Sequence, residues 1–387
     1  MTKFRKTYLS LFLLSSLLAF TSCNQNEEEK VQAEIRSYSA EIVDSLVINR
    51  LSVVELLDYQ SSAGEFLIFD TQTGEHLIMN EKAEILSSFN PYLQGPSYMG
   101  FSYGWSFYGQ DELVAYGQSY YYRYSKSGEI LGKYEPPIDK GGGVQLDYSP
   151  QRIRAFETER GTEVLTMFIS NFNSKRQPNE DPNDVIFRMN FETGETIPAM
   201  QKAPDNIYRT VGKYIDPGYP TFTLLSGSTF AYTHQSDGFL YIFDAEKNQN
   251  INKIAIPEEF LPQFKGVDFD GKDNSEQLRI NANVYSVDGK ALLLSSGRIP
   301  NAIIKEIQQN PNWFRSPEFK AAQKKYMTPT FLLFDQNKFL GELDWDIDLG
   351  EVMPKGTQDG FLWVKRTYKD ERDYQTFLKV KIVEEKE

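Results

Sequence analysis

Glu65-Phe66-Leu67-Ile68-Phe69-Asp70-Thr71-Gln72-Thr73-Gly74-Glu75-His76-Leu77-Ile78 reads as a strand, a tight polar turn and a second strand. Asp70 can open the turn by bonding its own backbone, and Gly74 supplies the positive φ that closes it. The same phrase recurs along the chain. Tyr120-Tyr121-Tyr122-Arg123-Tyr124 runs into Ser125-Lys126-Ser127-Gly128-Glu129, then Ile130-Leu131. Val185 to Asn190 runs into Phe191-Glu192-Thr193-Gly194-Glu195. Phe239-Leu240-Tyr241-Ile242-Phe243-Asp244 is followed by a turn and Ile251, and Phe331-Leu332-Leu333-Phe334-Asp335 precedes Phe339-Leu340. Val364 before Phe377 to Ile382 completes the series.

Residues 66–69, 239–243 and 331–334 are apolar almost throughout, which suits strands covered on both faces. The turns open near residues 70, 124, 190, 244, 335 and 370, and each interval has room for about four short strands. Residues 221–225, 229–233, 239–244 and 251–256 show one such set in order. Four-stranded units at this spacing predict an all-β fold, a six-bladed β-propeller. Val287-Asp288-Gly289-Lys290 would make seven blades if it stood alone; we place it as the inner hairpin of the fifth unit, joined to 331–343. Two packed sandwiches would give a similar strand count. The ring is expected to close by pairing the strand near 376–383 with chain near 41–57. Between the fifth unit's hairpins, Ile303, Ile304, Ile307, Phe319, Ala322 and Tyr326 recur at helical steps. Ser316-Pro317-Glu318 has an N-cap followed by Pro at the first position. A helical insertion over 301–327 follows.

The amino terminus is a separate matter. Lys3, Arg5 and Lys6 precede an apolar run from Tyr8 to Phe20, shorter than a span of ~20 residues. Leu18-Ala19-Phe20-Thr21-Ser22-Cys23 approximates a lipoprotein cleavage box around the only cysteine. Residues 1–22 therefore read as a lipoprotein signal, 23–37 as an acylated Cys23 with an acidic tether, and 38–387 as the propeller. Asn24 in place of Asp after the cysteine gives no inner-membrane retention signal, and the run Glu27-Glu28-Glu29 resembles the surface-export signal of Bacteroidetes lipoproteins. The expected location is the outer membrane, on the cell surface in preference to the periplasmic face.

Together, Ser22-Cys23-Asn24 with its following acids, the Tyr- and Phe-rich strands, and turns such as Tyr124-Ser125-Lys126-Ser127-Gly128-Glu129 resemble Bacteroidetes six-bladed propeller lipoproteins. In length and layout the chain is similar to the family called domain of unknown function 4221. The resemblance implies the propeller fold and brings no catalytic residues.

Composition narrows the chemistry. A hydrophobic fraction of 40% with 14% aromatics excludes disorder, and one cysteine excludes a disulfide scaffold. The formal charge of −13 includes the three basic residues of the signal, so the mature chain is more acidic still. No nucleic-acid partner is expected without a basic footprint. His76 and His234, the only histidines, each lie beside a turn with no nucleophile-elbow sequence nearby. No cofactor and no zinc site are expected. Asp268, Asp270 and Asp273, with Glu276, make a weak calcium candidate that departs from the EF-hand spacing and reads better as a solvated loop. Asp344, Asp346 and Asp348 would share one face if 343–349 were extended.

Aromatic residues give the remaining candidates. Tyr103-Gly104-Trp105-Ser106-Phe107-Tyr108, flanked by Gly100 and Gly109, could be a loop presenting Tyr103, Trp105 and Tyr108 to a ligand. Trp313 in the insertion is the other. The function expected is a lipid-anchored interaction module for a protein or glycan partner. The alternative is a carboxylate-dependent glycosidase or polysaccharide lyase working in the propeller funnel, with convergent carboxylates.

Overall fold

The apolar runs at 66–69, 239–243 and 331–334 become strands, and the turns opened by Asp70, Ser125, Asn190, Asp244 and Asp335 become hairpins between strands. The computed structural model describes residues 36–136, 152–167, 186–213, 215, 220–262, 266, 279–353, 355 and 359–385. Strand β1 (Arg36–Ile48) comes first and stands apart from the sheet that follows it. Blade 1 is β2 (Val54–Gln60), β3 (Glu65–Asp70), β4 (His76–Asn80) and β5 (Ile85–Phe89). Blade 2 is β6 (Ser102–Tyr108), β7 (Glu112–Gly117), β8 (Tyr121–Ser125) and β9 (Ile130–Tyr134). Blade 3 is β10 (Ile153–Thr158), β11 (Gly161–Met167), β12 (Ile186–Met189) and β13 (Thr196–Ala199). Blade 4 is β14 (Pro220–Ser226), β15 (Thr229–His234), β16 (Phe239–Asp244) and β17 (Gln249–Ala255). Blade 5 is β18 (Arg279–Val287), β19 (Lys290–Gly297), β20 (Pro329–Phe334) and β21 (Phe339–Asp344). Blade 6 is β22 (Glu351–Val352), β23 (Leu362–Lys365) and β24 (Gln375–Glu384), completed by β1.

The chain is thus a six-bladed propeller, and Val287-Asp288-Gly289-Lys290 is the inner hairpin of blade 5. Six buried cores lie one between each neighbouring pair of blades. Val54, Phe66 and Ile68 of blade 1 pack on Trp363 and Phe377 of blade 6, while Leu67 and Ile78 pack on Trp105 and Leu113 of blade 2. The other four interfaces repeat the arrangement around the ring. This is why a strand such as β3 is apolar at successive positions: each sheet is buried on both faces.

The expected turn chemistry holds. Asp70 Oδ1 accepts from the Gln72 and Thr73 amides at 3.1 and 3.0 Å, and Gly74 sits at φ 74°. Asn190 repeats this with Glu192 and Thr193 at 2.9 Å. Asp335 Oδ1 accepts from Asn337 and Lys338 at 2.7 and 2.8 Å. The Asn190 and Asp335 turns join the third and fourth strands of their blades, the outer pair, whereas the Asp70 turn joins the second and third strands of blade 1.

Closure comes from β1. It pairs antiparallel with β24 from Tyr38↔Glu384 to Ile48↔Gln375. It also pairs in parallel with β21 from Arg36↔Gly341 to Ser39↔Asp344, so blades 5 and 6 share one continuous sheet. The expected partner range of 41–57 was too late: 36–48 closes the ring and 54–60 opens blade 1.

The insertion lies between β19 and β20. It comprises α1 (Asn301–Ile307), a 3-10 turn Trp313–Arg315 and α2 (Pro317–Tyr326). Ser316 caps α2, its Oγ accepting from the Phe319 amide at 3.1 Å, with Pro317 at the first position. Residues 343–349 are not one extended strand. The chain leaves β21 at Asp344, and Asp346 caps a 3-10 turn, accepting from the Asp348 amide at 2.9 Å. A short local bond to its own backbone displaces the strand conformation there.

Candidate functional site

The innermost strands β2, β6, β10 and β14 lie side by side around the channel. At the end where each turns back into its neighbour, they frame a cleft of about 580 Å³. That is within the ~300–1,000 Å³ of typical ligand sites. Its rim is made by hairpin turns, including Ser61, Ser62, Gly109, Gln110 and Gly227.

A charged floor holds the strands together. Asp58 of β2 is 3% exposed and reaches across to the next blades. Its Oδ2 accepts from the Ser106 hydroxyl at 2.7 Å and the Phe107 amide at 2.9 Å, both on β6. Its Oδ1 accepts from the Tyr59 amide at 3.0 Å and from Arg154 Nη1 on β10. Lys355, in the connection after β22, places Nζ 3.8 Å from Asp58 Oδ2 and donates to the Trp105 carbonyl. Blades 1, 2, 3 and 6 thus meet on one carboxylate. A break in register between Leu56 and Asp58 bends β2 at this point.

The electrostatics follow from that arrangement. Burial alone would raise the Asp58 pKa, but Arg154, Lys355, the Ser106 hydroxyl and the Phe107 amide hold it below the ordinary carboxylate value. Burial pushes Lys355 down to about 7, with Asp58 opposing and Arg154 adding to the shift. The floor carries the Arg154 cation and the Asp58 anion, with Lys355 poised between its charged and neutral forms near pH 7.

Sequence reasoning missed this constellation. Its members lie on four blades, far apart in the chain. The available signal was a charge directly after apolar residues, Asp58 after Leu56-Leu57 and Arg154 after Ile153.

The residues singled out from sequence lie elsewhere. Tyr103, Trp105 and Tyr108 are not on a loop but on β6, and they are 8%, 0% and 5% exposed. Trp105 packs toward blade 1; Tyr103 and Tyr108 pack toward blade 3. Trp105 Nε1 donates to Ser102 Oγ at 3.0 Å, and the Tyr108 hydroxyl donates to the Thr162 carbonyl at 2.9 Å. The rings are therefore core, and the expectation that they face a ligand is corrected. Gly109, at φ 59°, marks the hairpin after the strand. Trp313 is half-buried in the insertion, edge-on to Phe319 at 4.9 Å. By the alternation of strands, the insertion is at the end of the ring opposite the cleft. Cys23 and Asp268, Asp270 and Asp273 lie outside the described residues. Among the described residues no group of three or more His, Cys, Asp or Glu is placed to hold a metal ion.

His76 is fully buried among Phe69, Phe89, Tyr92 and Trp105, and burial lowers its pKa to about 3. His234 is equally buried as the last residue of β15, at the insertion end. Its Nδ1 is 3.9 Å from Asp237 Oδ2, beyond a hydrogen bond. Burial raises Asp237 to about 6, and Asn206 donates to the same oxygen. Asn281 Nδ2 donates to the His234 and Asp237 carbonyls at 3.0 and 2.8 Å. This network fixes a turn between blades 4 and 5.

The fold and its channel define a six-bladed propeller with one polar cleft framed by inner hairpins. Comparison with solved structures agrees on the fold. A member of the DUF4221 family from Bacteroides vulgatus superposes with a TM-score of 0.59 and 10% identity, covering 91% of this chain and 100% of that one. A protein from Bacteroides fragilis gives a TM-score of 0.48 and 11% identity over 90% of this chain and 99% of that one. A gluconolactonase from Xanthomonas campestris gives 0.42 and 11% over 88% and 91%. The first is a likeness of fold; the other two are too distant to add to it. No family model matches the sequence, and no curated protein matches it. The resemblance read from the sequence is thus found again in the architecture.

Proposed function

We propose that this protein is a binding module of the cell envelope, tethered by lipid on Cys23, whose channel cleft receives a glycan or protein partner. One observation carries the choice of binding over carboxylate catalysis: both oxygens of Asp58 are already occupied. A glycosidase needs one carboxyl group to protonate a leaving group and a second to act as base or nucleophile. Asp58 is held by four hydrogen-bond donors, Arg154 among them, with Lys355 3.8 Å away, so it has no capacity left for either role. The other acidic group on the cleft, Glu157, is exposed and accepts from the Thr162 hydroxyl at 2.8 Å. The rim hydroxyls and amide of Ser61, Ser62 and Gln110 match the hydrogen-bonding groups of a saccharide. That favours a glycan over a protein segment.

A blocked cleft tests the reading. Ser62 is exposed on a turn, so Ser62→Trp should leave stability within about 0.5 kcal/mol. On a glycan array the unaltered protein should retain at least one oligosaccharide, and Ser62→Trp should weaken that retention tenfold or more. Equal retention by both would move the site off the cleft. Failure of the unaltered protein to retain any glycan would contradict the preference for a saccharide.

The tether has its own test. Cys23→Ser should shift the protein from the membrane fraction to the soluble fraction. Protease added to intact cells should remove the unaltered protein if it faces outward. A Cys23→Ser protein that stays with the membrane would contradict lipid attachment.

A further inference from the structure

We propose that the cleft takes a carboxylate-bearing saccharide and that the guanidinium of Arg154 grips its carboxylate. The proposal rests on the cleft being the ligand site and adds the chemical class of the ligand. Arg154 lines the cleft, and its side chain is 12% exposed. Among the described residues it donates only to Asp58, through Nη1. A guanidinium has five N–H donors, so most of this one is uncommitted. None of its remaining nitrogens is among the buried unpaired atoms, so they are open to the cleft and available to a ligand. Its planar fork suits the two oxygens of a carboxylate better than it suits a hydroxyl.

The rest of the floor points the same way. Lys355 Nζ lies 3.8 Å from the carboxylate that it shares with Arg154, and because it titrates near 7 an arriving anion would favour its charged form. Asp58 has its oxygens filled, so it offers nothing to a neutral sugar hydroxyl. An arriving carboxylate would meet the free donors of Arg154. Around Arg154 stand the neutral polar groups Ser61, Ser62 and Gln110, with the exposed Glu157 on the same lining. Hydroxyls for hydroxyls and one fork for an acid describe a sugar acid. A peptide ending in a free carboxylate shares the acid but would want side-chain pockets, so it stands as the rival outcome.

The test is calorimetric titration of the full chain with matched probes. Oligogalacturonate, oligoglucuronate and sialyllactose are each set against the methyl ester or neutral counterpart, and a short peptide with a free C-terminus is included. At least one acidic sugar should bind tenfold or more tighter than its neutral counterpart, with affinity falling as salt rises. Arg154→Gln should weaken that sugar about 10- to 100-fold. Arg154 also pairs with Asp58, so Arg154→Gln could unfold the protein. Arg154→Lys keeps the charge on Asp58 and loses the fork, and it should still weaken the acidic sugar about tenfold. Equal binding of acid and ester would overturn the carboxylate proposal while leaving a glycan-binding cleft intact. Binding of the peptide alone would overturn the sugar class. If no probe binds and the array is also blank, both readings fall; if the array retains only neutral glycans, this proposal falls alone.

Discussion

A chain that begins at Leu51 will fail to form the closed ring. Strand β1 supplies the fourth strand of blade 6 and the parallel contact with blade 5. Removing it uncovers the edge of β24 and takes away Tyr38, Leu46 and Ile48, all buried. Each such side chain contributes about 1.5–3 kcal/mol. Their sum approaches the ~5–15 kcal/mol that holds an ordinary domain folded. The exposed edge would also recruit other chains. Size-exclusion chromatography should show aggregate, with no cooperative melt. A truncated protein that stays monomeric and melts within a few degrees of the full chain would contradict the closure. Gly341 offers a point version of the same test. A Cβ there would lie 1.9 Å from the Arg36 carbonyl oxygen, which is backbone and cannot step aside like a flexible side chain. Gly341→Val should therefore detach residues 36–39 from β21, lowering stability by less than the truncation does.

The second large effect is at the floor of the cleft. Asp58→Ala leaves Arg154 without its counter-charge and removes the group that holds the proton on Lys355, whose pKa falls further. Breaking a buried pair in this way costs about 3–5 kcal/mol. The melting temperature should fall on the order of 10 °C at pH 7. Lys355→Met should behave in the opposite sense. It removes the buried amine and leaves Asp58 with Arg154, Ser106 and two amides, so stability at pH 7 should hold or rise. The pH dependence follows from the direction of the shift. Lys355 titrates near 7 when folded and near 10.5 when unfolded, so unfolding takes up a proton between those values. Its penalty is full below pH 7 and disappears as pH rises toward 10.5. Any advantage of Lys355→Met should shrink over that window. Asp58 has the reverse dependence: its pairing stabilises above the unfolded pKa of ~3.9 and is lost as pH falls through the lower native value. Urea unfolding at several pH values reads all of this. An Asp58→Ala protein as stable as the unaltered one would show that the floor is not the buried charge cluster described.

Much of this was legible because it depended on local chemistry. Asp70, Asn190 and Asp335 announce their turns through bonds to amides two or three residues away. Ser316 and Pro317 announce a helix in the same manner. The apolar runs at 66–69 and 331–334 betray double-sided burial. The cleft was not legible, because Asp58, Ser106, Arg154 and Lys355 meet only when four blades close around an axis. The aromatic stretch misled for a related reason. Gly100, Gly104 and Gly109 suggested a loop, but Gly104 sits in a strand whose register breaks between Ser102 and Gly104. Beyond that break, neighbouring rings go to different blade interfaces. The apparent row of carboxylates at 344, 346 and 348 failed because Asp346 bonds the Asp348 amide and ends the strand.

The most direct test of the central claim is a crystal structure of the protein soaked with the acidic sugars and their neutral counterparts. Ligand density is predicted in the cleft bounded by Ser62, Gln110 and Arg154, with the carboxylate against the guanidinium. Density at the opposite end of the channel, beside His234 or the helical insertion, with the cleft empty, would contradict it.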